Sequence, residues 1–123
     1  SDENCAIFMD DNEADVNRKI KKGYCPPNVI ENNPIFAYAK TIIFPHYKEF
    51  NLTRKEKNGG DKLYLTIEEM EKDYISGDIH PLDLKDNVAL YINKMLQPVR
   101  DHFQNNAEAK KLLSEIKKYK VTK

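Results

Sequence analysis

Ser76-Gly77-Asp78-Ile79-His80-Pro81-Leu82-Asp83-Leu84-Lys85 decides the fold, because a helix stop and a helix start stand a few residues apart in it. Gly77 takes a left-handed conformation at no steric cost, which suits the residue after a helix. Pro81 suits the first helical position, since the N–H it lacks would be unpaired there. His80 then falls at the N-cap and Asp83 at the third helical position. On one reading Asp83 complements the helix dipole, worth about 0.3–1 kcal/mol, and His80 is a permissive loop residue. On the other, a flat ring and a two-oxygen acceptor are placed to hold a planar, donor-rich ligand such as a nucleobase. Taken alone, the stretch favours the first.

On the N-terminal side, Thr66-Ile67-Glu68-Glu69 is a capping-box signature. It opens a helix over Ile67–Ser76 that buries Ile67, Met70 and Tyr74 and ends at Gly77. On the C-terminal side, Leu84, Val88, Tyr91, Ile92, Met95, Leu96, Val99 and Phe103 recur at three- and four-residue steps, the longest helical pattern in the chain. Pro98 is predicted to kink or break it near Lys94, whose carbonyl loses its partner. A last amphipathic helix is predicted over 107–118, after the Asn105/Asn106 cap, with Leu112, Leu113, Ile116 and Tyr119 on one face and lysines on the other.

Further upstream, 49–54 and 62–67 both alternate. Phe50 and Leu52 lie opposite Asn51 and Thr53, and Leu63, Leu65 and Ile67 opposite Tyr64 and Thr66. With the turn-rich Lys55-Glu56-Lys57-Asn58-Gly59-Gly60-Asp61 between them, they form a β-hairpin with a long glycine-containing loop. That loop lacks the spacing of a P-loop. Asn33-Pro34 is a second cap-and-first-residue pair, opening a largely apolar core helix over 34–44 that Pro45 stops, with His46 and Tyr47 in the exit turn. Tyr24-Cys25-Pro26-Pro27 is stiff, either a rigid linker with a small buried thiol or a preformed rim for docking. Before it, Glu13–Lys22 fits a surface helix with a thin stripe of Val16 and Ile20. Its cap lies in Asp10-Asp11-Asn12, and Gly23 follows as its C′ stop. Ala6-Ile7-Phe8-Met9 reads as a brief extended segment.

The 123 residues make one domain with room for a real core, and no internal repeat appears. Twenty basic and twenty acidic residues cancel, so no global field draws the chain to nucleic acid or membrane. Locally the balance breaks. Residues 1–17 hold six acids and no base, and Lys110, Lys111, Lys117, Lys118, Lys120 and Lys123 crowd the other end. Cys5 and Cys25 suggest neither a disulfide framework nor a metal site, and His46, His80 and His102 form no zinc-type cluster. No signal peptide or membrane span is visible, and the expected setting is reduced, intracellular and soluble. Ser1 and Ser114 lack a visible base, so no catalytic constellation emerges. Periodicity and caps give a mainly α domain with one β-hairpin, either a binding module or part of a larger enzyme.

An ordered set of motifs goes further. Ser1-Asp2-Glu3-Asn4 with Ala6-Ile7-Phe8-Met9-Asp10-Asp11 resembles the run after the K-M-S-K-S loop of eukaryotic tyrosyl-tRNA synthetases. The resemblance continues through K-I-K-K-G-Y-C-P (19–26), Glu31-Asn32-Asn33-Pro34, Ile43-Phe44-Pro45 and Glu56-Lys57-Asn58-Gly59-Gly60-Asp61-Lys62. It runs on through His80-Pro81-Leu82-Asp83-Leu84-Lys85 and N-K-M-L-Q-P-V-R (93–100). Each motif is weak; their order and spacing over nearly the whole chain are specific.

The resemblance implies a cytoplasmic class I ligase that forms tyrosyl-adenylate from L-tyrosine and ATP with Mg2+, then passes the tyrosyl group to its tRNA. It implies a homodimer, with no membrane partner and no metal site in this segment. The Rossmann-type catalytic domain would lie upstream, and Lys-Met-Ser-Lys is expected before Ser1. Residues 1–11 would be the tail of the ATP-binding loop, ending it with Ser1, and 12–123 a helical C-terminal anticodon-binding domain, not expected to aminoacylate alone. By the same resemblance His80 would stack on the first anticodon base, a guanine, and Asp83 would accept from its Watson–Crick edge. Cys25 and Pro26 would form the rim. Asn58 stands where relatives often carry an aromatic residue, so one wall of the stacking sandwich differs. A non-catalytic helical module for protein or RNA interaction is the competing reading.

Overall fold

Asn12 starts the first helix, α1 (Glu13–Lys22). Its side chain accepts from the Asp15 N–H at 2.8 Å, while the Asp15 carboxylate accepts from the Asn12 N–H at 3.2 Å. Two orphan donors are thereby satisfied reciprocally. The computed structural model describes residues 11–108, 111, 114 and 115. Ser1, Cys5 and the apolar run Ala6-Ile7-Phe8-Met9 lie outside the described residues, as do Lys110, Leu112, Leu113, Ile116 and Tyr119 of the expected last helix. Residues 107, 108, 111, 114 and 115 are helical.

Gly23 ends α1 as expected, in an extended conformation with φ −64° and ψ 145° that is open to any residue. The position is crowded by the tip of one side chain. A Cβ there would sit 2.6 Å from Ile35 Cδ1.

Asn33 and Pro34 open the next helix as the sequence indicates. Asn33 Oδ1 accepts from the Phe36 N–H at 3.0 Å, and Asn33 Nδ2 donates to the Val29 carbonyl at 2.9 Å. This helix comprises α2 (Pro34–Tyr38), a π-helical turn (Ala39–Ile43) and α3 (Phe44–Tyr47). Pro45 does not stop it, contrary to expectation. In the π turn the Phe44 N–H donates to the Ala39 carbonyl, five residues back. That widening moves the preceding carbonyls away from the proline ring, the clash that otherwise breaks a helix. The helix ends at Lys48, with φ 63°.

Strands β1 (Phe50–Leu52) and β2 (Lys62–Tyr64) pair antiparallel, with Phe50 opposite Tyr64 and Leu52 opposite Lys62. The hairpin is as expected, but its second strand buries the face opposite to its leucines. Tyr64 is fully buried, while Leu63 and Leu65 are 47% and 63% exposed. Phe50 faces the core, and its register partner shares that face. Tyr64 can accept burial because its hydroxyl donates to Asp73 Oδ2 at 2.6 Å.

Helix α4 (Ile67–Ser76) keeps its predicted ends. Thr66 Oγ1 accepts from the Glu69 N–H at 3.3 Å, and Gly77 caps the far end at φ 90°. Helix α5 (Pro81–Asn105) runs through Pro98 without a break, so of the expected kink or break the break does not occur. Pro98 removes one backbone donor. Next to it Arg100 braces the helix, bonding the Asn93 side chain at 2.8 Å and reaching the Asp11 carbonyl at 3.1 Å.

The core lies where α1, the 34–47 helix and the hairpin meet α5. Val16 and Ile20, Ile35 and Phe36, Phe50 and Leu52, and Leu84 and Val88 are all at most 2% exposed. Lys19 is also buried, paired with Asp11 at 2.8 Å. No helix of the described residues is long and apolar enough to cross a membrane.

Candidate functional site

His80 caps α5 with its own ring. Nδ1 accepts from the Leu82 N–H at 3.1 Å, so the neutral ring carries its proton on Nε2. The imidazole is exposed and fixed at one edge. It is therefore more than the permissive loop residue of the simpler reading.

One turn along, Asp83 occupies the third helical position, within the positive field of the helix end. Asp83 Oδ2 is buried and has no hydrogen-bond partner among the described residues. An ionised oxygen without a donor is costly where water cannot reach it, by about 1–3 kcal/mol or more. Such a group is a strong acceptor for any donor brought to it.

Opposite this helix end stands the loop after β1. It makes a 3-10 turn, Glu56–Asn58, closed by Gly59 at φ 114° and Gly60 at φ 74°. Between loop and helix lies a cleft of about 450 Å³, lined by Thr53, Arg54, Lys55, Lys57, Asn58, His80, Leu82, Asp83 and Asp86. Its cations are all on the hairpin side and its carboxylates all on the helix side. A phosphate would be drawn to one wall and a donor-bearing base edge to the other.

Asn87, 1% exposed, fastens the two sides from below. Its Oδ1 accepts from the Thr53 N–H at 2.9 Å and the Thr53 hydroxyl at 3.0 Å. Its Nδ2 donates to the Thr53 carbonyl at 2.9 Å and the Asp83 carbonyl at 2.7 Å.

Of the residues singled out by sequence, the fold thus brings Asn58, His80 and Asp83 to one cleft. Cys25 and Pro26 are not among its lining residues. Cys25 Sγ stands 3.3 Å from the Tyr74 hydroxyl, which donates to the Pro26 carbonyl at 2.7 Å. Burial, then the contact with Cys25, pushes the Tyr74 phenol above its ordinary range. Ser1 lies outside the described residues.

Sequence reading missed Arg54, Leu82 and Asp86. Asp86 lies three residues beyond Asp83 on the same helix face, a spacing that could have revealed it. A second, larger groove of about 690 Å³ runs between α1 and α5, with Glu13, Lys21, Lys85, Leu90 and Lys94 along it. No three His, Cys, Asp or Glu side chains among the described residues gather as metal ligands.

The sequence profile of the tRNA synthetases class I (W and Y) matches residues 1–97. The chain is 53% identical over 123 residues to cytoplasmic tyrosine–tRNA ligase 2 of Arabidopsis thaliana, covering all of this chain and 16% of that one. Its identity to cytoplasmic tyrosine–tRNA ligase 1 of the same plant is also 53%, over all of this chain and 32% of the relative. Among solved structures, the tyrosyl-tRNA synthetase of Pyrococcus horikoshii, complexed with L-tyrosine, superposes with a TM-score of 0.85 at 35% identity. The superposition covers 94% of this chain and 31% of that one. The chain thus spans less than a third of the length of these relatives.

Proposed function

Since the chain belongs to the class I tRNA synthetases, and within them to the tyrosyl-tRNA synthetases, we propose that it is the anticodon-reading part of a tyrosine–tRNA ligase. The whole ligase would join tyrosine to ATP, releasing pyrophosphate, and then move the tyrosyl group from the adenylate to the tRNA. Residues 1–11 would end its ATP-binding loop, and 12–123 would bind the anticodon. The plant relatives are cytoplasmic ligases, and the same compartment and the dimeric state implied by the family are proposed here.

The observation that carries this reading is the cleft itself, where an exposed ring and a carboxylate with an unpaired oxygen face Asn58. A splayed-out base can stack on the His80 ring, as single-stranded RNA bases do on flat side chains. Guanine offers two adjacent donors, N1–H and the exocyclic amine, and bidentate acceptance needs both Asp83 oxygens. The side chain must therefore turn Oδ2 out of its covered position. It breaks no hydrogen bond in doing so, because Oδ2 has none. Asn58 has no aromatic ring, so the base is stacked chiefly from the His80 side, and the Asn58 amide can offer a hydrogen bond from the other. Lys55 and Lys57 lie on the wall where the adjoining phosphates would run.

Binding of the full-length protein to tyrosine tRNA transcripts tests the proposal. Replacing the first anticodon guanine should weaken binding by about 5- to 150-fold, the worth of one good bidentate contact. Asp83→Ala should remove most of that difference. Equal affinity of the unaltered protein for every anticodon variant would refute it.

A further inference from the structure

Arg54 sits under the cleft and touches both of its walls. Its Nε donates to the Gly60 carbonyl at 2.7 Å, on the loop that carries Asn58. The same guanidinium donates from an Nη to the Asp78 carbonyl at 2.7 Å, in the turn that leads into His80. Its own backbone N–H donates to Asp61 Oδ1 at 3.0 Å, fixing where the side chain starts. Arg54 belongs to none of the four ion pairs among the described residues, and the two side-chain hydrogen bonds it makes both go to carbonyls.

Gly59 makes room for this arrangement. A Cβ there would stand 2.6 Å from one Nη and 2.8 Å from the central carbon of the guanidinium. A planar group with fixed donor directions is what two carbonyls on separate segments require; an ammonium on a flexible stem fixes neither angle.

We propose that Arg54 is a positioning residue for base reading, a clasp that bridges the Gly60 and Asp78 carbonyls. By that bridge it holds the Asn58 wall and the His80–Asp83 wall at one separation. The proposal rests on the anticodon reading of the cleft, and it adds a distinct expectation. Removing a mere phosphate-attracting cation lowers affinity for every anticodon alike and makes the salt dependence shallower. Removing a clasp lets the walls part, so the preference for one base over another is what falls.

The measurement is the affinity ratio of the full-length protein for tyrosine tRNA transcripts with guanine and with adenine at the first anticodon position. Arg54→Lys and Arg54→Ala should each lower that ratio by about tenfold, the scale of losing charge-assisted hydrogen bonds. Arg54→Lys keeps the charge, so its failure to restore the ratio separates bridge from charge. Tyrosine-dependent ATP–pyrophosphate exchange without tRNA should stay at the level of the unaltered protein. Should Arg54→Ala not fold, Arg54→Lys and Arg54→Gln, which leave the loop backbone untouched, decide the matter. A ratio preserved in Arg54→Lys, or a uniform loss for both transcripts, overturns the clasp alone. No discrimination by the unaltered protein overturns the reading on which it rests.

Discussion

Replacing Asn87 with leucine tests whether one buried amide holds the hairpin to α5. Leucine has a similar shape, so the change removes hydrogen bonds with little alteration in packed volume. Four bonds are lost, three to Thr53 and one to the Asp83 carbonyl. At about 1 kcal/mol net each, they sum to about 4 kcal/mol. Thr53 lies at the solvent side of the contact, so water recovers part of this, and the expected loss is about 2–3 kcal/mol. A chain of this length has about 6–18 kcal/mol in total, and the variant should still fold. Urea unfolding of the 123-residue chain, followed by circular dichroism at pH 7, should show the midpoint lowered by about 1–2 M. Lys40→Ala is the control. It breaks an ion pair with Glu71 in which Lys40 is 53% exposed, and such pairs contribute about 0–1 kcal/mol. An Asn87→Leu midpoint no lower than that of Lys40→Ala would refute the reasoning.

Gly23→Ala should lower Tm by no more than a few degrees, because the Ile35 tip must shift while the compatible backbone returns about 0.4–1 kcal/mol of unfolded-chain entropy; a collapse of the fold would contradict this. Asp73 gives a pH signature. Burial alone would raise its carboxyl, but hydrogen bonds from Lys62 at 2.6 Å and Tyr64 at 2.6 Å outweigh it and hold the group below the ordinary range. A folded-state value below the unfolded one stabilises above the ordinary carboxylate range of about 4 and is lost as pH falls through the depressed value. The stability gap between the parent chain and Asp73→Asn, read from urea midpoints, should be constant near neutrality and close only in acid. A gap that instead opens in acid would contradict it.

What the sequence disclosed was mostly local. Asn12, Asn33, Thr66 and His80 each cap a helix because the partner lies two or three residues away, within reach of any pattern reading. Pro45 misled because the π turn before it widens the helix where the proline ring would clash, and α5 continues past Pro98. The alternation over 62–67 left open which face is buried; Tyr64 takes that place because Asp73, nine residues on, accepts its hydroxyl's hydrogen bond. At the cleft, the positions of His80 and Asp83 were legible from caps, and the base-reading expectation came from family resemblance. Arg54 was not legible. Its bond to the Asp78 carbonyl spans 24 residues, and no local pattern encodes that approach.

Helix α5 also acts as a phase gauge. About 20 residues separate His80 from Arg100, which at about 1.5 Å each is about 30 Å of rigid rise. Arg100 bonds the Asp11 carbonyl, so the cleft and the point where the chain enters at Asp11 are read off the two ends of one rod. Substitutions along its exposed face leave that spacing and orientation untouched. A single inserted residue between them would swing one end by about 100° about the axis and lengthen the rod by only about 1.5 Å. Insertions in α5 are therefore angular errors far more than errors of length, and tolerance to them should return only near whole numbers of turns.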